Sequence, residues 1–152
     1  MINENLKLSG QLNIVLKDKD GNVKDSREVK NLVVNTGLAY IASRMVGTSK
    51  SVMSHMALGS GTTAAAAAQT DLVSILGSRE ALDSTSISGT NSEKVVYVSG
   101  FEAGDATGAV TEAGIFNAAS GGDMLCRTVF SVVNKAADGT MTVTWTITLS
   151  AV

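Results

Sequence analysis

Residues 110–149 read VTEAGIFNAASGGDMLCRTVFSVVNKAADGTMTVTWTITL, and the last part of this stretch decides the fold. From residue 140 onward, Met141, Val143, Trp145, Ile147 and Leu149 share one parity, and Thr140, Thr142, Thr144, Thr146 and Thr148 share the other. A period of two, rich in β-branched residues, is the pattern of a strand with one buried face. Residues 110–117 and 124–130 are shorter apolar runs before it. They are punctuated by AASGGD at 118–123 and NKAADG at 134–139, both rich in turn formers. The spacing predicts three successive strands in an antiparallel meander.

Working outward, the N-terminal third repeats the same logic. Leu6, Leu8, Leu12, Ile14 and Leu16 alternate with polar residues, with Gly10 as the one break. DKDGN at 18–22 is a strong hairpin signal. Residues 23–34 then return as a second strand, with a charged outer part (Lys24, Asp25, Arg27, Glu28, Lys30) and an apolar end. Asn35-Thr36-Gly37 opens a helix in which Asn35 or Thr36 can cap the free amides. Leu38, Ile41, Ala42, Met45 and Val46 give it an apolar stripe, and Gly47 gives it a stop. Residues 53–59 form a short strand. The five alanines at 64–68 suggest a second helix, with 71–76 as its extension or a separate turn. Residues 80–88 and 94–101 read as a strand pair. The sum is a mainly β chain, a single antiparallel β-sandwich domain over residues 1–152. It is jelly-roll-like, with about eight strands and one or two short helices.

Composition narrows the function classes. Charged residues make up 17% of the 152, below the usual quarter, and the net charge is −2. That balance gives no electrostatic footprint for nucleic acid. No apolar run is long enough to span a bilayer, and the start MINENLKLSG lacks the basic and apolar regions of a signal peptide. Cys126 is the single cysteine, which excludes an internal disulfide and reads as a small buried hydrophobe. Proline is absent, which removes one means of blunting edge strands. The edges must then be short, charged, covered or paired with another chain.

Motifs for chemistry are weak. Gly59-Ser60-Gly61-Thr62-Thr63-Ala64 fits G-x-G-x-x-A, but the chain lacks the βαβ alternation that a dinucleotide site requires, so a tight turn is expected. His55 is the only histidine and reads as structural. The acids Glu80, Asp83, Glu102, Asp105, Glu112 and Asp123 read as loop solvation and turn formers. No catalytic, cofactor or metal residues are assigned.

Three stretches carry a resemblance: NLVVNTGLAYIASRM at 31–45, SHMALGSGTTAAAAAQT at 54–70 and TGAVTEAGIFNAASGGDMLCRT at 107–128. Together with the threonine-rich last strand they resemble small structural proteins of tailed bacteriophages, of the type found in phages of marine bacteria and cyanobacteria. The resemblance covers roughly residues 31–150. It implies a virion component made in the host cytoplasm, with no catalytic residues to carry over. The expectation that follows is a capsid decoration or cement protein, oligomeric, bound to the major capsid protein or to other virion proteins rather than to nucleic acid or membrane. A tail, collar or fibre-base component, or a carbohydrate-binding adhesion module, is the alternative. The contact residues expected are Lys17, Lys24 and Arg27 on the charged hairpin, with Gly59 and Gly61 on a small-residue loop that permits close approach.

Overall fold

The computed structural model of the chain describes residues 5–47 and 50–151. Residues 1–4, on which the reading of the N-terminal start partly rests, lie outside the described ones. The strands are β1 (Leu6–Lys17), β2 (Val23–Lys30), β3 (Leu32–Val33), β4 (His55–Gly59), β5 (Glu80–Ala81), β6 (Ser84–Ser88), β7 (Lys94–Phe101), β8 (Gly108–Phe116), β9 (Met124–Lys135) and β10 (Thr140–Ala151). The single helix among the described residues, α1, spans Asn35–Met45. Two five-stranded antiparallel sheets result, with orders β2-β1-β10-β7-β6 (sheet A) and β3-β9-β8-β4-β5 (sheet B). The first strand lies beside the last inside sheet A, and β3 lies beside β9 at the edge of sheet B.

The core is the space between the sheets. Leu12, Ile14, Leu16, Tyr97, Phe101, Met141, Val143, Trp145 and Ile147 come from sheet A. Met56, Leu58, Val110, Ala113, Ile115, Leu125, Cys126, Phe130 and Val133 come from sheet B. Trp145 sits at 0% exposure in a cross-strand row with Leu12 on one side and Tyr97 on the other. The threonines of β10 point to the opposite face, as the alternation requires.

Three expectations are corrected. The meander is broken: β8 and β9 form a hairpin in sheet B, but β10 crosses to sheet A and pairs with β1 and β7. Alternation fixes which face of a strand is buried but not which sheet it joins. The alanine run at 64–68 is not helical. Residues 60–79 are irregular apart from the lone bridge Gly59↔Ile75. Helix α1 is also rotated from its expected stripe. Gly37 and Tyr40 are buried, while Leu38, Met45 and Val46 are exposed. Its first turn has no side-chain cap, and Thr36 instead donates its hydroxyl to the Met124 carbonyl. Gly47, at φ +67, does end it.

The second strand divides at Asn31, where the chain leaves sheet A for sheet B. The Asn31 amide donates to the Gly10 carbonyl, and its side-chain Oδ1 accepts the Trp145 indole N–H at 3.0 Å. A Cβ on residue 10 would fall 1.7 Å from that Oδ1, so only glycine leaves room for the bond. The break in the first strand's pattern is therefore the socket for the residue that satisfies the one buried indole.

Trp145→Ala is expected to destabilise the protein by about 3–5 kcal/mol in urea denaturation. Trp145→Phe should cost less than that, leaving the Asn31 carbonyl unpaired at about 1–3 kcal/mol. In the wild type, a blue-shifted emission maximum poorly quenched by iodide would report the buried indole. A red-shifted, freely quenched one would contradict this register.

Candidate functional site

The outer face of sheet B holds the densest polar chemistry in the molecule. Glu112 on β8 and Arg127 on β9 face away from the main core, on the side covered by residues 60–79. Both side chains are 0% exposed, and Arg127 Nη2 lies 2.7 Å from Glu112 Oε2. The carboxylate is fully engaged. Oε1 accepts the amides of Gly61 (3.0 Å) and Ser74 (2.7 Å), and Oε2 accepts the Val73 amide and the Nε and Nη2 hydrogens of Arg127. Arg127 Nη1 donates to the Thr63 carbonyl and to Gln69 Oε1. The pair thus grips the covering segment at both its outgoing and returning limbs.

Small residues make this possible. A Cβ on Gly59 or on Gly61 would lie 2.5 Å from Glu112 Oε1. Next to the pair, Leu72 packs into a second small core with Val34, Ala57, Phe116 and Met124. Arg79 closes the far end, its guanidinium 3.6 Å from the centre of the Phe116 ring and its Nη1 bonded to the Ala118 and Gly121 carbonyls. Burial alone would push the Glu112 carboxyl up. The amides of Ser74 and Val73, the Arg127 guanidinium and the Gly61 amide outweigh that and hold it below its ordinary value. Both carboxylate oxygens and four of the five guanidinium hydrogens are engaged within the chain, so the pair acts as a structural staple.

The expected contact residues are dispersed by the structure. Gly59 and Gly61 are buried, and the close approach they permit is to Glu112 of their own chain, so they form no contact surface. Arg27 is turned inward to the Ser131 and Val132 carbonyls and paired with Asp25 at 2.9 Å, a link between hairpin and sheet B. Lys17 and Lys24 remain exposed at the hairpin tip, Lys24 lying 3.5 Å from Asp18. That tip is built as the sequence predicts, the Asp18 carboxylate accepting the Asp20 and Asn22 amides.

Sequence reasoning placed Glu112 among solvated loop acids and passed over Arg127. The available signal was position: one acid and one base, each inside an apolar run, on the two strands of one hairpin. Lys135 was also missed. It is buried at 2% exposure, its ammonium donating to the Glu102 carbonyl. His55 is half-buried, and its Nδ1 lies 2.8 Å from Ser54 Oγ. No group of three or more metal-ligating side chains occurs among the described residues, and no helix is long and apolar enough to cross a membrane. Besides a groove of about 440 Å³ lined by Lys30, Leu32, Thr62, Ala64 and Arg127, two open grooves mark the surface. One, of about 590 Å³, is lined by Lys7, Lys30 and Lys94 beside Asn31. The other, of about 450 Å³, is apolar and lies between α1 and the end of sheet A. Comparison with family models, curated proteins and solved structures finds no match.

Removing one partner of a buried pair leaves an uncompensated charge, so Arg127→Met should destabilise by about 3–5 kcal/mol and open residues 60–79 to proteolysis. The double variant Glu112→Leu/Arg127→Met should recover part of that loss, measured as a double-mutant cycle in urea. The pH dependence follows from the depressed Glu112 value. Its contribution is full above the unfolded carboxyl value of 4.5 and is lost as pH falls below it through the folded value. Glu112→Gln should therefore be less stable than wild type at neutral pH, and should lose less stability than wild type on acidification from about pH 5 to pH 3.

Proposed function

We propose that this chain is a structural subunit of a tailed-phage virion, and within the virion a decoration or cement protein on the outside of the head. The observation that supports this reading is where the three resembling stretches lie in the fold. Residues 31–45 supply β3 and α1, residues 54–70 supply β4 and the first half of the covering segment, and residues 107–128 supply β8 and the start of β9. Far apart in sequence, they form one body: sheet B, its helix and its stapled cover. Three of the four resembling stretches therefore share one structural unit, and the fourth, the threonine-rich β10, lies in sheet A. The buried charges of that unit are used internally, as suits a rigid building block.

The surface left for partners is on sheet A. Its outer face is a hydroxyl-rich plane. Thr142, Thr144, Thr146 and Thr148 lie between Ser9, Gln11 and Asn13 of β1 and Lys94, Val96 and Val98 of β7. Beside it, the hairpin tip presents Lys17 and Lys24. A subunit that binds only an assembled lattice stabilises that lattice by mass action, and surface charge sets orientation more than affinity.

The test is attachment. Purified protein should bind heads assembled without it and raise the temperature at which they rupture. Lys17→Glu/Lys24→Glu should weaken attachment at low ionic strength, the deficit narrowing as salt rises, with the free protein's melting temperature unchanged. Binding to isolated tails and never to heads would discard the cement reading.

A further inference from the structure

With no proline in the chain, each sheet edge needs another guard. Both edges of sheet B are two residues long, β3 (Leu32–Val33) and β5 (Glu80–Ala81). One edge of sheet A, β2, carries Lys24, Asp25, Arg27, Glu28 and Lys30. The start of β1, which β2 leaves uncovered, carries Lys7 and faces the groove shared with Lys30 and Lys94. The remaining edge is β6, Ser84-Thr85-Ser86-Ile87-Ser88, and it has no such guard. It holds no charge, its pairing with β7 has no bulge, and all five residues are exposed. Its only strand partner among the described residues is β7.

We propose that β6 pairs with β6 of a second copy of this chain, antiparallel about a two-fold axis through Ser86, joining two five-stranded sheets A into one of ten strands. The strand is self-complementary in that arrangement. Ser86 meets Ser86, Ser84 meets Ser88, and Thr85 meets Ile87, so no charge faces another and the Thr85–Ile87 pairs join β-branched residues that suit a sheet. Two-fold pairing of one patch with itself is also the commonest closed symmetry. β6 carries no charge that would select a foreign strand instead.

The adjoining surface favours the same occupant. Ile87 is 64% exposed and forms one wall of the apolar groove with Val95, Tyr97, Ile41, Met45 and Leu149. Thr85 and Ile87 share the face on which that groove opens, because they pair with Tyr97 and Val95. Strand pairing across the axis therefore brings the two grooves side by side and covers Ile87 with the partner's Thr85. Backbone hydrogen bonds alone make a weak site, and this apolar margin adds hydrophobic burial to them. Such a dimer is a property of the purified chain and does not depend on the virion reading.

Sedimentation equilibrium on the full chain should give a dimer, and hydrogen exchange at residues 84–88 should slow as concentration rises. Ser86→Lys/Ile87→Lys places like charges across the axis and should weaken the dimer at least about tenfold, with the monomer's melting temperature unchanged. Ser9→Lys, on the same outer face three strands away, should leave the dimer intact. A chain that is monomeric at about 100 μM overturns the proposal. So does a dimer that survives the double lysine variant, or one whose β6 amides exchange equally fast at every concentration. Protection of β6 only on adding another virion protein also overturns it, in favour of a foreign strand.

Discussion

Glu112 and Arg127 impose the constraint around which sheet B is organised. Two opposite charges at zero exposure are tolerable only if every donor and acceptor finds a partner. The hairpin β8–β9 supplies the two charges but not the partners. Those come from the amides of Gly61, Val73 and Ser74 and the oxygens of Thr63 and Gln69, all in the covering segment. The pair and the cover are therefore mutually necessary. Without the cover, the charges would sit on an open sheet face in water. Without the charges, a glycine- and alanine-rich segment would have little reason to lie in one place. Against an apolar replacement such a pair adds little net stability; it specifies where the segment goes.

The same constraint explains why the alanine run is not a helix. Five alanines are too few to nucleate one in isolation, and the flanking backbone is already committed: the Gly61 amide to Glu112, the Thr63 carbonyl to Arg127, and the Asn35 amide to the Ala67 carbonyl. Local propensity is a preference of tenths of a kilocalorie per residue, whereas an unpaired buried carboxylate costs several. Pairing the carboxylate therefore prevails over helix formation. A reading that weighs residues one window at a time gives alanine its helical preference and cannot register the demand, which arises from a side chain about fifty positions away.

This sets the boundary of what the sequence made legible. Strand alternation, the Asp18–Gly21 turn, the burial of Trp145 and the helix stop at Gly47 all depend on neighbours within a few residues, and all are present in the structure. The broken meander, the rotation of α1 and the burial of Glu112 depend on partners far along the chain. Helix α1 is the clearest case. Its apolar residues form a stripe, yet Tyr40 and Gly37 point inward, because a Cβ on Gly37 would lie 2.0 Å from the Leu125 carbonyl oxygen. Contact at that point requires a residue without a side chain, and the close approach sets the helix's rotation. Leu38 and Met45 are left outside as a result. For the candidate site, the charged hairpin was legible as an exposed feature, but Arg27 is tied to sheet B through the Ser131 and Val132 carbonyls, which no local pattern announces.

The two sheets then divide the work unequally. Sheet B has its outer face closed by its own chain: the cover is held by Glu112 and Arg127 at one end and by Arg79 over Phe116 at the other. Its edges are two residues long. Sheet A has no such cover. Its outer face is a plane of hydroxyls that hydrate readily but carry no geometric demand of their own, and its long strands end in one charged edge and one uncharged edge. It presents hydroxyls and one uncharged strand edge to solvent.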